Sequence, residues 1–146
     1  MISIKKFEQL SKAELYEIIV NRINVFVVEQ NCPYADCDNL DQQAYHLLNK
    51  KSGEIISYLR IIPAGLVYNQ PVIGRVLVKA EYRKQKIASK MLTEAINFIK
   101  TELQANKIKL SAQEYVLNLY RQLGFQQVSD RYLEDGIPHY EMQLEL

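Results

Sequence analysis

The chain has 146 residues, of which 48% are hydrophobic and 24% charged, and its formal net charge is +1. This length fits one domain, residues 1–146, with a single core that buries roughly two thirds of the unfolded surface. The near-neutral charge argues against general affinity for nucleic acid or membranes, and no apolar run approaches the ~20 residues that span a bilayer. Since residues 1–10 also lack a signal-peptide layout, we expect a cytoplasmic protein.

The N-terminal segment predicts a strand followed by a capped helix. Residues Ile2 to Phe7 alternate, imperfectly, between apolar and polar side chains, as a strand does. Ser11 and Glu14 have the spacing of a capping box, in which each side chain satisfies a backbone N–H of the other residue. The helix that follows has an apolar stripe made of Leu15, Ile18, Ile19, Ile23, Phe26 and Val27. Its polar face carries Glu17, Asn21, Arg22 and Asn24.

Residues 28–41 predict a loop, because Pro33 cannot continue a regular helix and Asn and Asp are frequent. Counted from Asp36, the loop lacks the glycine and the glutamate of an EF-hand, so it does not predict a calcium site. It is either a solvated acidic turn or an acidic rim that attracts a cationic amine. Cys32 and Cys37 are the only cysteines and lack C-x-x-C spacing, so we expect reduced thiols and no metal.

The rest of the chain alternates strands with two further helices, an order that predicts a mixed α/β domain. The predicted strands are 44–48, 54–62, 71–78, 108–112, 125–128 and 140–146, and the helices run from Ile87 to Ile99 and from Val116 to Leu123. Asn49 to Gly53 has the composition of a hairpin turn, and Gly124 is a natural helix stop.

A basic loop lies between the strand that ends at Val78 and the long helix. Its cations, Lys79, Arg83, Lys84, Lys86 and Lys90, outnumber Glu81 by five to one, a local net charge of +4. The start of a helix offers unpaired N–H groups and partial positive charge, which together attract anions. The loop therefore predicts a site for a phosphorylated ligand, with a solvated basic turn as the alternative.

The segment Arg83-Lys84-Gln85-Lys86-Ile87-Ala88 resembles the Q/R-x-x-G-x-G/A loop of the GCN5-related N-acetyltransferases, the GNAT superfamily. In that family the loop amides bind the pyrophosphate of acetyl-CoA. Lys86 stands where glycine is usual. Glycine would allow positive φ, a freedom that lysine must do without, although lysine can offer a charge to a phosphate. The resemblance implies the acyl-CoA N-acyltransferase fold, a mixed, mostly antiparallel sheet flanked by helices.

The segment from Asn118 to Phe125 resembles the second GNAT signature, a tyrosine four residues before Gly-Phe. The resemblance implies that Tyr120 protonates the departing thiolate of coenzyme A. A phenol with a pKa near 10 suits a thiol with a pKa near 8.5. The alternative is a packed helix tyrosine with its hydroxyl at the rim.

Three further segments, Arg22–Tyr34, Val72–Val76 and Glu134–His139, are similar to the ElaA-type branch of the GNAT superfamily, a group of small bacterial acetyltransferase-like proteins. The likeness extends from Leu15 to Met142. It implies an N-acetyltransferase that transfers the acetyl group of acetyl-CoA directly to a primary amine of a small molecule or protein. A homodimer is one assembly that this assignment allows.

Two other functions stay open at this stage. The strand from Pro71 to Val78 lacks the carboxylate that many GNAT enzymes use as a base, and Lys86 departs from the motif, so a non-catalytic acetyl-CoA-binding module is the alternative. The segment Arg22–Phe26 is also similar to acyl-homoserine lactone synthases, which share the core fold but are longer, so that function ranks third.

The candidate site residues follow from these patterns. The candidate bases are Glu29, His46, Glu114 and His139. Arg75 interrupts an apolar strand and must therefore pair within the fold or contact the substrate, because an unpaired buried charge is costly. The implied cofactor-binding residues are Val76, Leu77, Val78, Arg83, Lys84, Gln85, Lys86, Ile87, Ala88, Ser89, Asn118 and Tyr120. The candidate substrate contacts are Arg75, Asp135 and His139.

Overall fold

Eight strands form one sheet, and three α-helices pack on its two faces. The computed structural model describes residues 1–146. The strands are β1 (Ile2–Lys6), β2 (Tyr45–Lys51), β3 (Glu54–Ile62), β4 (Val72–Val78), β5 (Lys107–Gln113), β6 (Gln126–Gln127), β7 (Tyr132–Glu134) and β8 (Ile137–Glu145). The helices are α1 (Lys12–Arg22), α2 (Ile87–Thr101) and α3 (Leu117–Gln122). The strand order is β1-β2-β3-β4-β5-β8-β6, with β7 paired to β8, and only β4 and β5 run parallel. This is the mixed, mostly antiparallel sheet that the family resemblance predicts.

Two apolar clusters fill the two faces of the sheet. The cluster under α2 and α3 includes Leu47, Met91 and Tyr120, and the cluster under α1 includes Ile18 and Leu48. Leu47 and Leu48 are neighbours on β2 and belong to different clusters, because successive strand residues point to opposite faces. The central strands β2, β3 and β4 therefore have buried side chains on both faces of the sheet.

The capping box at the start of α1 is confirmed, but the polar face predicted for this helix is wrong at two of its four residues; Asn24 is exposed and Glu17 half-buried. Ser11 Oγ accepts from the N–H of Glu14 at 3.0 Å, and Glu14 Oε1 accepts from the N–H of Ser11 at 2.9 Å. Asn21 and Arg22 are buried, and Arg22 has no exposed surface. The helix also ends earlier than predicted, since Ile23–Glu29 continues as a wider π-helical segment.

Other boundaries differ from the sequence prediction by a few residues. β1 ends at Lys6, where a 3₁₀ turn begins, and β6 is shorter than predicted. β7 was not predicted, because its three residues are too few to show a period. The hairpin turn before β3 and the helix stop at Gly124, with φ of +98°, are confirmed.

The sheet splits between β4 and β5. These strands share a single register pair, Val72 with Lys109, and then diverge. On its other edge β4 stays paired with β3, but a bulge places one β3 residue, Leu59, opposite Arg75 and Val76. Arg75 takes a left-handed φ of +52° at this bulge. The split leaves one edge of β4 without a strand partner toward its C-terminal end.

A network of charged side chains lies on the α1 face of the sheet, where the sequence predicted an acidic loop. Arg22 Nε binds Asp36 at 2.9 Å, and Arg22 Nη1 binds Asp41 at 2.8 Å. Both carboxylates are buried, so the solvated turn and the acidic rim are both wrong. The members are Arg22, Arg60, Arg75, Asp36, Asp38 and Asp41, and their formal charges sum to zero.

The arginines lower the pKa of two carboxyl groups of this network, those of Asp38 and Asp41. Burial by itself raises the pKa of Asp38, but hydrogen bonds from Arg60, its charge and that of Arg75 bring this pKa down to about 2. The pKa of Asp41 is likewise lowered by Arg22 and Arg60 against the effect of burial. At the start of α1, burial opposes and Lys50, Ser11 and Lys5 then lower the pKa of Glu14 to about 2.

We expect acid to destabilise the protein through these groups. Because the folded pKa values lie below the unfolded values of about 4, their stabilisation is complete above about pH 5 and is lost as pH falls toward 2. Urea unfolding at pH 7, 4 and 3 should give a falling free energy of unfolding. The Asp38→Asn variant should have a lower free energy of unfolding at pH 7, and that free energy should decrease less between pH 7 and pH 3 than in the native protein. A free energy that is flat from pH 6 to pH 3 would contradict this assignment.

Candidate active site

A cavity of about 290 Å³ opens where β4 ends, beside the basic loop and α3. It is lined by Val78, Tyr82, Arg83, Lys84, Lys86, Ile87, Ala88, Ser89, Leu119 and Gln122. Most of the basic-loop residues predicted from sequence therefore surround one cavity. Of the predicted cofactor residues, Val76, Leu77, Gln85, Asn118 and Tyr120 do not line it.

The backbone of the basic loop presents a row of unpaired donors. The N–H groups from Lys84 to Ser89 find no acceptor within the protein, and no side chain caps the start of α2. Lys84 and Lys86 take left-handed φ angles of +63° and +61°. Lysine therefore takes here the left-handed geometry that the sequence predicted only for glycine, although its Cβ atom makes that geometry strained. Unpaired N–H groups at a helix start form a site for an anion.

Three lysines of the loop region are free to pair with that anion. Lys79 pairs with Glu54, and Arg83 pairs with Glu29 at 2.7 Å. Lys84, Lys86 and Lys90 form no ion pair. Together with the backbone donors, these uncompensated charges favour a ligand with several negative charges.

The edge of β4 that faces the split offers further donors. The N–H of Lys79 binds β3, so Val78 and Val76 turn their N–H and C=O groups toward β5. Arg83 Nε donates to the carbonyl of Val78 at 2.9 Å, which ties the basic loop to this edge. An extended ligand that enters the cavity can continue along β4 as a strand would.

Tyr120 lies on α3 with 6% of its surface exposed and packs edge-on against Phe125, with 5.9 Å between ring centroids. Its hydroxyl makes no hydrogen bond within the protein. Arg60 Nε is the only fully buried side-chain donor or acceptor without a partner, so the Tyr120 hydroxyl keeps some contact with solvent. Burial, with a smaller effect of Tyr115, raises the pKa of Tyr120. The phenol therefore stays protonated at neutral pH and is free to donate.

Comparison with known proteins identifies this arrangement. Residues 7–146 match the family described as acetyltransferase (GNAT) domain. A UPF0039 protein of Schizosaccharomyces pombe is 46% identical, covering 97% of this chain and 95% of its own length. The crystal structure of Escherichia coli ElaA has a TM-score of 0.92 at 33% identity and covers 99% of each chain. That of an acyl-CoA N-acyltransferase from Pseudomonas aeruginosa has a TM-score of 0.94 at 34% identity, covering 99% of this chain and 98% of its own.

This chain belongs to the GNAT acetyltransferase family. Its likeness to ElaA over 94% of its length confirms the ElaA-type branch. The yeast relative shows that this branch is not confined to bacteria. Family and fold together indicate an acyltransferase.

Two of the four candidate bases of this GNAT protein, His46 and Glu29, are engaged in contacts with other protein groups. His46 has no exposed surface; its Nδ1 lies 2.7 Å from the Tyr58 hydroxyl and its Nε2 lies 2.9 Å from the carbonyl oxygen of Asp41. Burial also lowers the pKa of His46, so it is a neutral structural histidine. Glu29 lies beside the basic loop, where its carboxylate holds Arg83.

The other two candidate bases lie near the open end of the split. His139 on β8 is in register with Gln113, the last residue of β5, and Glu114 follows directly in the chain. His139 Nδ1 lies 2.7 Å from the carbonyl oxygen of Ile137, and its Nε2 lies 3.3 Å from Glu134. Glu114 is exposed and pairs with Arg131 at 3.2 Å.

The structure assigns Arg75 to the ion-pair network, and Asp135 lies in the turn between β7 and β8. Two roles were predicted for Arg75, an ion pair within the fold or a contact with the substrate. Its ion pair with Asp36 favours the first. The carbonyl oxygen of Asp135 lies 3.5 Å from Cys32 Sγ, so the loop after the π-helical segment contacts this turn. Cys32 and Cys37 are free thiols.

Sequence reasoning missed three residues of the cavity, Tyr82, Leu119 and Gln122. Leu119 and Gln122 are three positions apart on α3, a spacing that places them on one helix face, and that spacing could have revealed them. Tyr82 gave no such signal.

No helix has the length and apolar character needed to cross a membrane. No three His, Cys, Asp or Glu side chains are grouped to hold a metal ion.

The left-handed geometry of Lys86 predicts a stabilising substitution. Lys86→Gly should raise the free energy of unfolding by about 1 kcal/mol, because glycine takes a positive φ without the clash of a Cβ atom. Lys90→Gly, in the ordinary helical geometry of α2, should lower it by about 1 kcal/mol. Urea unfolding of both variants measures the contrast. Equal destabilisation by the two changes would show that Lys86 carries no strain.

Proposed function

We propose that residues 1–146 form a single N-acetyltransferase domain that transfers the acetyl group of acetyl-CoA directly to a primary amine of a small molecule or protein. The observation that carries this proposal is the row of unpaired N–H groups from Lys84 to Ser89 around the cavity. Lys84 to Lys86 are exposed and Ile87 to Ser89 are half-buried, and their N–H groups extend the unpaired donors of a helix start into the loop before it, which favours an acceptor-rich ligand.

Coenzyme A fits the chemistry of these donors. Its phosphates match the loop amides and the unpaired charges of Lys84, Lys86 and Lys90. Its amide-containing arm matches the donors and acceptors that Val76 and Val78 turn toward the split. Two solved acetyltransferases of this fold, at 12% and 17% identity, hold coenzyme A or acetyl-CoA. When bound, acetyl-CoA supplies the thioester carbon that the amine attacks.

The protein's own residues then supply the proton to the leaving sulfur and remove the proton from the amine. Tyr120 Oη donates a proton to the departing sulfur; its unpaired hydroxyl supports this role, and its raised pKa keeps the proton in place at neutral pH although it makes the phenol a weaker acid. The amine must lose a proton before it attacks. Of the four candidate bases, Glu114 and His139 are retained because they lie at the open end of the split, although Glu114 pairs with Arg131 and His139 lies beside Glu134.

The test of this function is thiol release from acetyl-CoA in the presence of a panel of amines that covers amino acids, polyamines, aminoglycosides and lysine peptides. Release above the background without amine supports the transferase. Thermal stabilisation by coenzyme A without release on any amine would instead assign the chain a binding role.

We expect coenzyme A to bind through the basic loop. Lys84→Glu should weaken binding about tenfold or more, because a charge-assisted hydrogen bond contributes ~1.5–3 kcal/mol. Lys86→Glu should bind more weakly than Lys86→Gly if the charge of Lys86 contacts phosphate. Titration calorimetry at 50 and 300 mM salt should show weaker binding at high salt.

The matched control for the loop is Lys100→Glu, which reverses an exposed charge at the far end of the same helix. It should leave the affinity for coenzyme A unchanged. If Lys84→Glu and Lys100→Glu weaken binding equally, the overall charge acts and the loop assignment is wrong.

We expect Tyr120→Phe to lower turnover by ~10²–10⁴-fold, the usual loss when a general acid is removed. Acetyl-CoA affinity and the melting temperature should change little, because the ring and its packing on Phe125 are kept. Pre-steady-state measurement of the chemical step separates this effect from product release. Full activity under conditions where chemistry limits the rate would return Tyr120 to a packing role.

A further inference from the structure

The bulge in β4 decides which backbone groups face the split. Since the N–H of Lys79 bonds to Ile56 on β3, strand alternation also points the N–H of Leu77 to β3; before the bulge the register places those of Val72 and Gly74 on the same side. Without the extra residue, strand alternation would turn the N–H of Leu77 to the split and that of Val76 to β3. The bulge reverses this alternation. The donors that face the split, those of Val76 and Val78, therefore depend on the conformation of Arg75.

Arg75 holds this bulge in a conformation that an arginine does not favour. Its φ of +52° is left-handed, which costs about 1–2 kcal/mol for a residue with a Cβ atom. Gly74, the neighbouring residue, has room for a Cβ atom and no positive φ. The chain therefore places the strain on the arginine and not on the adjacent glycine. Such strain persists only where the surroundings fix it.

The side chain of Arg75 supplies that fixation. Its Nε donates to Asp36 Oδ1 at 3.1 Å, and its Nη2 donates to the carbonyl of Asp36 at 3.0 Å and to Asp38 at 3.3 Å. Its guanidinium also lies over the ring of Tyr34, 5.5 Å from the centroid. The Arg75 guanidinium is therefore bound through both Nε and Nη2 by the loop that carries Asp36 and Asp38.

Asp36 is in turn held from the opposite side. Arg22 donates to its carboxylate at 2.9 Å and to its carbonyl at 3.0 Å, and the Tyr34 hydroxyl donates to its carboxylate at 2.8 Å. The side chain of Asp36 is 1% exposed. A buried aspartate anchored to α1 thus fixes the arginine that shapes β4.

We propose that Arg75 is a positioning residue for acyl transfer, whose guanidinium, clamped by Asp36, sets the bulge that aims the N–H groups of Val76 and Val78 at the acyl-CoA. The inference rests on the proposed function for its kinetic consequence. The phosphates are held by the loop after Lys79, so Arg75 governs the alignment of the thioester and not the affinity for the cofactor.

Two variants and one control test the kinetic consequence. Arg75→Lys keeps the charge and loses the fork, and Arg75→Gly relieves the strained φ and loses the anchor. Both should lower kcat about 10²-fold, the cost of misplacing reacting groups by about 1 Å, with the KM for acetyl-CoA nearly unchanged. Lys5→Gln breaks an ion pair to the buried Glu14 at the start of α1, and should lower the melting temperature without changing kcat.

An experiment without turnover tests the geometry itself. Amide hydrogen exchange, followed by NMR with and without coenzyme A, should show protection of Lys84–Ser89 and of Val76 and Val78 in the native protein. In Arg75→Gly the loop should stay protected while Val76 and Val78 lose their protection. The exchange experiment tests the role of Arg75 even if the native protein transfers acetyl to no amine. That negative result would contradict the proposed function but not the geometry assigned to Arg75.

Two results would overturn the proposal. One is retained protection of Val76 and Val78 in Arg75→Gly. The other is a lower melting temperature with unchanged kcat in both Arg75 variants, which would leave Arg75 a purely structural residue. Failure of the native protein to bind coenzyme A would remove the proposal together with the cofactor site.

Discussion

The site depends on one constraint, that β4 pairs along its length with β3 but with β5 at only one register position. A strand edge inside a sheet normally has its N–H and C=O groups paired, since unpaired groups cost free energy. Here the edge opens within the sheet, and the next turn of chain, Lys84–Ser89, leaves its donors unpaired as well. Between these two sets of unpaired groups, the N–H groups of Lys79, Tyr82 and Arg83 are bonded within the protein. A ligand that reaches both sets completes the hydrogen bonding that the fold leaves open.

The ion-pair network compensates for a loop that has little apolar surface to bury. Residues 30–41 contribute few large hydrophobic side chains, so packing alone cannot hold them against the sheet. Three aspartates pair with arginines from α1, β3 and β4, and the neutral sum avoids an uncompensated buried charge. Removing one partner should therefore cost more than a surface ion pair is worth, because the remaining charge stays buried. The network ties the loop, which faces the open end of the split, to the strand that lines it.

Local features of the fold could be predicted from the sequence, and features that depend on distant partners could not. The capping box at Ser11, the stop at Gly124 and the basic loop each depend on residues a few positions apart. The pairing of Arg22 with Asp36, or of Arg75 with Asp36, joins residues 14 and 39 positions apart, and periodicity carries no information about it. For that reason the sequence predicted a polar helix face and a solvated loop where the structure has a buried network. The cofactor loop was found from a short motif, whereas the cavity wall from α3 needed the fold to bring Leu119 beside it.

Backbone strain in this protein coincides with positive charge. Apart from glycines, three Asn or Asp residues and Ser52, only Arg75, Lys84, Lys86 and Gln104 have positive φ. The three basic residues among them all lie on β4 or the basic loop. Glycine would take these conformations at lower cost but would bring no charge and no anchor. At Lys84 and Lys86, which line the cavity, the strained backbone leaves an N–H group unpaired while the side chain adds a cation, so each residue offers an anion both a donor and a charge. At Arg75 the cation faces the other way, into the ion-pair network, and the strain shapes the strand instead.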